Sequence, residues 1–197
     1  MAKKLFSQEV SNWLKSSQPK DLGSLGSVFQ EKGFAVAFLI LMAPAALPLP
    51  TAGITHVLEI ITMLLALELV IGRQSIWLPD KWKKRNLGKT LEKKALPKLI
   101  SFINWFERRS HKRLTSLLSN RWFLRFIGLL VFILALASLL AVPFSGLDTL
   151  PALGVVLTAM ALILEDALIL IYAMGVGLIG IIVEIGLGSL ALHFLHF

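Results

Sequence analysis

Acidic side chains inside long apolar segments are the residues of this sequence whose chemistry most needs an explanation. Glu59 and Glu184 each lie well inside an apolar run, and Glu68 lies near the end of the run that contains Glu59. A carboxylate at the centre of a bilayer costs at least about 2.5 kcal/mol, so it usually faces a bundle interior, a partner or a water-filled path. His56 lies three residues before Glu59, on the same helical face, where it can form a hydrogen bond or a proton-relay pair with that carboxylate. An acid-lined cavity of this kind favours a cation, a proton or a basic solute.

A second set of charged residues lies where the apolar runs end. Arg73 follows the first long run, and Glu165 and Asp166 follow the second. If the two halves of the chain pack symmetrically, Arg73 pairs with Glu165 or Asp166, and such an ion pair is placed to act as a gate. Alternatively, all three residues lie at helix ends where water solvates their charges. Asp148 is best explained by an exposed hairpin loop.

Other chemistry is excluded by what the sequence lacks. It has no cysteine, which rules out disulfides, thiolate metal sites and cysteine nucleophiles. It has no glycine-rich phosphate loop, no metal-binding His-Glu pair on a helix and no nucleophile elbow. We therefore expect no enzymatic activity, no metal site and no cofactor.

Apolar helices must hold these carboxylates. Of the 197 residues, 56% are hydrophobic and 16% are charged, against about 25% charged in a soluble domain. Residues 33–72 and 126–164 are each long enough for a hairpin that crosses twice, and residues 167–197 form a final apolar segment. The sequence predicts an all-α integral membrane protein with about five transmembrane or re-entrant helices. Amphipathic interfacial helices are predicted around Trp13 and Phe106, and for the first of them an ordinary amphipathic helix packed on protein is the alternative.

Both hairpins are broken by proline and glycine at matching positions. With an offset of 93 residues, Pro50 aligns with Pro143 and Gly53 aligns with Gly146. Such residues free backbone groups that lipid cannot satisfy but that an ion or solute can bind. Interrupted apolar segments at corresponding positions of two halves are a pointer to a transporter site.

This alignment predicts one membrane domain, residues 1–197, built from two repeats and a last helix. Residues 1–92 and 93–166 would each contain an amphipathic helix and a broken hairpin, and residues 167–197 would form the final transmembrane helix. The alignment leaves open whether the hairpins span fully or re-enter. It also leaves open whether the repeats are parallel or inverted.

The basic residues indicate how the chain is oriented. None of the 20 Lys and Arg residues lies between Gly33 and Gly72, and none follows Arg125. Two basic blocks that flank charge-poor apolar stretches are the positive-inside pattern, which places the N-terminus and the central basic segment in the cytoplasm. A nucleic-acid binder would instead carry its basic residues on a folded face among polar neighbours, so we expect no nucleic-acid partner.

Short clusters around the hairpins resemble a known family. These clusters are Gly72-Arg73 with Trp77-Leu78-Pro79, and Pro143-Phe144 with Leu150-Pro151-Ala152. Over roughly residues 34–179 the sequence resembles the ExoD family, named for exopolysaccharide synthesis. The resemblance implies a small protein of the bacterial plasma (inner) membrane with a genetic link to polysaccharide production, but no mechanism. Ala167 stands where the family has a glycine, and Ser145-Gly146 stand where an asparagine is common, so roles that need those residues are not carried over.

Two functional hypotheses follow from the sequence. The first is an ExoD-like transporter or exchanger for a cation or cationic solute, such as a basic amino acid coupled to Na⁺ or H⁺. Glu59, Glu68 and Glu184 would coordinate positive charge, and the broken segments would supply backbone ligands. The alternative is a non-transporting membrane scaffold that assists exopolysaccharide synthesis or export through its basic segment. Besides the lipid bilayer, we expect a second copy of the chain as a partner, most simply in a homodimer.

Overall fold

The computed structural model describes residues 6–19, 32–47, 54–73, 75–77, 96–107, 110, 117, 120–141 and 146–195. These residues form α-helices and no strand. The helices are α1 Phe6–Lys15, α2 Gly33–Met42, α3 Ile54–Ile71, α4 Leu96–Glu107, α5 Arg121–Leu140, α6 Thr149–Leu164 and α7 Ala167–Leu195. The predicted all-α fold is therefore confirmed.

The helices differ in whether they are long enough to cross a bilayer. Two of the described helices, α5 and the Ala167–Leu187 part of α7, are long and apolar enough to cross a membrane. The apolar helices α2 and α6 are shorter, with 10 and 16 residues. At a rise of about 1.5 Å per residue, α2 covers about half of the hydrocarbon core. The structure thus gives two candidate crossings, and the predicted larger number stays a prediction.

Helices α3 and α6 end in the same local structure. Gly72, directly after α3, and Glu165, directly after α6, have positive φ angles of 97° and 59°. The N–H of the next residue, Arg73 or Asp166, donates to the carbonyl five residues back, at 3.1 Å and 3.0 Å respectively. This is the long hydrogen bond of a Schellman cap, whose left-handed position glycine adopts at little cost and glutamate at a higher one. The two caps are 93 residues apart, which is the offset of the predicted repeat.

Small residues let the long helices pack closely. Near the end of α3, the Ala66 carbonyl oxygen lies so close to Gly128 of α5 that a Cβ there would be 2.9 Å away. Between α6 and α7, a Cβ on Gly154 would lie 2.8 Å from the Cα of Gly177. Glycines at such contacts allow backbones to approach where larger residues would hold them apart. Both pairs of helices are antiparallel.

The packing order places the two hairpins side by side in the same direction. The first helix of each hairpin packs on the second helix of the other, so α2 contacts α6 and α3 contacts α5. Lys32, before α2, meets the end of α6, and Ser138, near the end of α5, meets the start of α6 at Asp148. Helices α2 and α5 therefore both run opposite to α6. Among the described residues, the two hairpins therefore run in the same direction, while the internal repeat itself stays a prediction.

Apolar side chains cover much of the outer surface of the bundle. Exposed examples lie on α3, α5 and α7, and include Val57, Leu64, Leu129, Ile133, Ile171, Tyr172, Leu178 and Ile182. Exposed apolar surface on this scale is costly in water and is suited to a lipid environment. The two amphipathic helices instead pack on each other, with Phe6, Val10 and Trp13 of α1 and Ile103 of α4 buried.

Candidate functional site

A fully buried carboxylate joins α3 to α5. The side chain of Glu59 is 0% exposed, and its Oε1 accepts a hydrogen bond of 2.7 Å from Ser138 Oγ on α5. Its Oε2 lies 3.0 Å from Nδ1 of His56, one turn earlier on α3. This is the contact that the spacing of His56 and Glu59 predicts. Both carboxylate oxygens therefore have a polar partner, as burial of such a group requires.

The Glu59 site, defined as His56, Glu59 and Ser138, lies close to one end of the bundle. The Ser138 hydroxyl also lies 3.3 Å from the carbonyl oxygen of Asp148, at the start of α6. The His56 side chain is 37% exposed, so its ring links the buried carboxylate to the surface of the described structure. Thr62 is buried nearby on α3, but its hydroxyl donates to the Leu58 carbonyl in the same helix. The arrangement offers a titratable ring, a carboxylate and a hydroxyl to one small cation or proton.

Glu184 lies at the same end of the bundle as the Glu59 site. One turn earlier on α7, Gly180 packs directly against Pro151 in the first turn of α6. Glu184 is partly buried and is close enough to Asp148 for the two carboxylates to interact electrostatically. Asp148 lies in the turn before α6, as expected for a hairpin loop, and is partly buried. Together these carboxylates give this end of the bundle a negative character.

Glu68 lies at the opposite end of α3 from the Glu59 site. Its Oε2 accepts a hydrogen bond of 3.0 Å from the Trp77 backbone N–H and lies 3.7 Å from Nη1 of Arg73. Glu68 lies nine positions after Glu59 in the same helix, a distance of about 13.5 Å along the axis. Glu68 therefore lies too far along α3 to share one bound cation with Glu59, and the predicted role of these carboxylates in binding positive charge stays a prediction.

The predicted gate residues also have different partners from those that symmetry suggested. The Nζ of Lys32 lies 3.0 Å from Glu165 Oε1 and donates to the Ile163 carbonyl at 2.6 Å. Asp166 accepts from the Ser110 hydroxyl at 3.0 Å. Arg73 contacts Glu68 instead. The reason is the packing order: α6 ends beside the start of α2, where Lys32 lies, and α3 ends beside the start of α5.

A chain of contacts links α1 and α4 to the ends of α2 and α6 at this second end of the bundle. The carboxylate of Glu107, the last residue of α4, accepts from the Phe6 N–H at 2.9 Å and from the Ser7 N–H and hydroxyl. It thereby caps the start of α1, where a negative charge is favourable. The ring of Phe6 lies under the Lys32 ammonium group, whose Nζ is 5.3 Å from the ring centroid. The amphipathic pair α1 and α4 is thus tied to the Lys32–Glu165 ion pair.

Three of the predicted site residues lie outside the described residues, and one residue of the Glu59 site was not predicted from the sequence. Pro50, Gly53 and Pro143 lie outside the described residues, while Gly146 is described and has a φ of 71°. Among the described residues, no group of three or more His, Cys, Asp or Glu is arranged to hold a metal ion. Ser138 was missed, although a lone hydroxyl in an apolar segment without charges is a signal for an interhelical hydrogen bond.

The exposed apolar surface, the close helix packing and the small number of charged residues in the long apolar helices define a helical protein of integral-membrane character. The chain belongs to the ExoD family, since the family described as "Exopolysaccharide synthesis, ExoD" matches residues 6–186. The resemblance that the sequence suggested is therefore confirmed.

A relative from Synechocystis sp., described as an uncharacterized protein, is 29% identical over 150 residues, which cover 76% of this chain and 69% of that protein. No solved structure matches the chain.

Proposed function

We propose that this protein is a secondary transporter or exchanger of a small cation or cationic solute in the bacterial plasma membrane. The observation that carries the proposal is the fully buried Glu59, hydrogen-bonded to Ser138 and in contact with the partly exposed ring of His56. Ionisable residues within membrane segments mark ion or proton pathways when they face the interior of a bundle. The N-terminus and the central basic segment would face the cytoplasm.

The Glu59 site has the parts needed to exchange one positive charge for another. A proton held between His56 and Glu59 would keep the empty site neutral, because an unpaired buried carboxylate is costly. An arriving cation would take over the carboxylate and the Ser138 hydroxyl while His56 passes the proton to the surface. This scheme couples cation entry to proton release at the end where Glu184 and Asp148 also lie, and their negative charge would concentrate cations there.

The opposite end of the bundle would act as the closed gate in this state. There Lys32 binds Glu165, and Glu107 fixes α1 on α4. Alternating access requires a site that can be reached from only one side of the membrane at a time. The Lys32–Glu165 ion pair would have to separate for the cation to leave toward the cytoplasm, so we assign the gating role to this pair in place of Arg73 with Glu165 or Asp166.

The family description favours one alternative. Membership of a family described by exopolysaccharide synthesis also fits a membrane scaffold that assists synthesis or export without transporting anything. In that case the basic segment would bind partner proteins through Lys81, Lys83, Lys84 and Arg85, which lie outside the described residues. The buried carboxylate would then have no role in the activity.

Flux in proteoliposomes tests the proposal. The purified protein would be reconstituted with an imposed pH or Na⁺ gradient and a panel of labelled cationic and neutral solutes. Glu59→Gln should abolish gradient-driven flux of a cationic solute, since glutamine keeps the shape of the side chain but loses its charge. The matched control is Glu9→Gln, the same change at an exposed position of α1, which should keep the flux. Unchanged flux in Glu59→Gln would contradict the assignment. Absence of flux for every solute, with partner capture that depends on the four basic residues, would favour the scaffold.

A further inference from the structure

Two corners of the bundle, at the end where α3 and α6 terminate, have the same construction. At each corner, a basic residue at the start of one helix meets the left-handed cap of the antiparallel helix beside it. Lys32 meets Glu165 after α6, and Arg125 meets Gly72 after α3. The two basic residues are 93 positions apart, and so are the two cap residues. Each cation also lies over an aromatic ring, Lys32 over Phe6 and Arg125 over Trp122.

The corners differ in whether the cation has a carboxylate partner. Glu165 places a carboxylate oxygen 3.0 Å from the Lys32 ammonium group. Gly72 has no side chain, and the Arg125 guanidinium lies so close that a Cβ there would be 3.1 Å from Nη2. The Arg125 Nε is buried and has no hydrogen-bond partner among the described residues. Glu68, the nearest acidic residue along α3, is engaged by Arg73 and the Trp77 N–H. Among the described residues, the Arg125 corner therefore has a cation without a carboxylate partner.

We propose that the phosphate of an anionic phospholipid headgroup occupies the Arg125 corner, in the place that Glu165 fills at the Lys32 corner. A guanidinium presents two N–H groups in a fork that matches phosphate oxygens. Arg121 lies one turn before Arg125, on the same face of α5, and is exposed. Arg73 follows Gly72 directly. Among the described residues, these three arginines outnumber Glu68, so this part of the corner is net positive.

The surroundings of the corner indicate a lipid rather than a free anion. Trp122 is 74% exposed and Trp77 is 62% exposed, and both lie at the level where α3 ends and α5 begins. Exposed tryptophans beside basic residues are typical of the depth at which headgroups meet the hydrocarbon core. Basic side chains at that depth attract the anionic lipids of the cytoplasmic leaflet. The inference concerns lipid binding only and does not depend on transport.

Native mass spectrometry of the purified full-length chain tests this inference. The protein would be released from detergent micelles containing phosphatidylglycerol or phosphatidylcholine, and the fraction that retains one lipid would be counted. We expect wild-type protein to retain phosphatidylglycerol preferentially. Arg125→Gln and Arg121→Gln should each lower that preference about fivefold, the factor that corresponds to about 1 kcal/mol per basic residue near an anionic surface.

The controls separate lipid binding from structural effects. Lys15→Gln removes one exposed basic charge from the end of α1, a helix that packs on α4, and should leave the preference unchanged. Arg121→Gln covers the case in which Arg125→Gln fails to fold, because Arg121 is exposed. Excess inorganic phosphate should compete weakly if the site needs the whole lipid. Equal retention of both lipids by the wild type, equal losses in Lys15→Gln and Arg125→Gln, or full displacement by inorganic phosphate would each overturn the proposal.

Discussion

Replacing Ser138 by alanine tests whether Glu59 is held as a charged, hydrogen-bonded carboxylate inside the bundle. Ser138 Oγ donates to Glu59 Oε1 at 2.7 Å, and both side chains are fully buried. The substitution removes one oxygen atom and changes neither the helix nor the packing around it. The hydroxyl's other described acceptor is the Asp148 carbonyl, at the longer distance of 3.3 Å. Loss of the bond to Glu59 should therefore account for most of the effect.

The size of the effect follows from the environment of the bond. A hydrogen bond to a charged group contributes about 1.5–3 kcal/mol in proteins. Hydrogen bonds between membrane helices average about 0.6 kcal/mol and reach about 1.7 kcal/mol. Because Glu59 is completely buried and the bond is short, the value should lie where the two ranges overlap. We expect Ser138→Ala to lower the free energy of unfolding by about 1.5 kcal/mol.

Reversible unfolding in mixed detergent micelles, followed by helix content, measures this change. Thr158→Val is the matched control, because the Thr158 hydroxyl is equally buried but donates to the Gly154 carbonyl of its own helix at 2.8 Å. Removing that local bond should change the free energy of unfolding by less than about 0.5 kcal/mol. The larger loss should be specific to Ser138.

Repeating Ser138→Ala in the Glu59→Gln protein isolates the effect of the charge of Glu59. In Glu59→Gln, the Ser138 hydroxyl donates to a neutral amide oxygen, and a neutral hydrogen bond contributes about 1 kcal/mol or less. Ser138→Ala should therefore cost less in the Glu59→Gln protein than in the wild type. An equal cost in both backgrounds, or a cost no larger than that of Thr158→Val, would refute the reasoning that Ser138 stabilises a charged carboxylate.

Two further predictions use the same unfolding measurement. Gly154→Ala should destabilise by about 1–3 kcal/mol through overpacking, because its Cβ would lie 2.8 Å from the Gly177 Cα; Gly175→Ala, which meets no atom within 4 Å, should be neutral or stabilise by up to about 1 kcal/mol. Similar losses at both glycines would contradict the close approach of α6 and α7. Lys32→Met should destabilise the protein because it removes the cation beside the buried Glu165 carboxylate. Adding Glu165→Gln should restore part of the lost stability, because the buried side chain is then neutral and no longer needs the ammonium group. Strictly additive losses in this pair of variants would show that the two residues do not interact.

The sequence by itself determined the class of the protein and the chemistry that it buries. Apolar runs interrupted by few charges predict helices whatever their partners, because the backbone groups of a lipid-exposed segment must bond within it. The spacing of His56 and Glu59 places them on one helical face, and the structure has their contact at 3.0 Å. The Gly-Arg and Trp-Leu-Pro clusters were enough to suggest the family. All of these features are local, so they depend on residues close together in the chain.

Only the tertiary structure decided which distant residues meet. The repeat alignment suggested a symmetric pairing of Arg73 with Glu165 or Asp166. The packing order instead places Lys32 at the end of α6 and Arg125 at the end of α3, because each hairpin's first helix packs on the other hairpin's second. The same order supplies Ser138 to Glu59 across 79 residues and leaves Glu68 at the far end of α3. Sequence periodicity assigns a residue to one face of a helix and to a depth in the membrane. Its neighbour on the next helix depends instead on how close-packed side chains and glycines fit together. That fit involves both helices, so neither helix's sequence determines it alone.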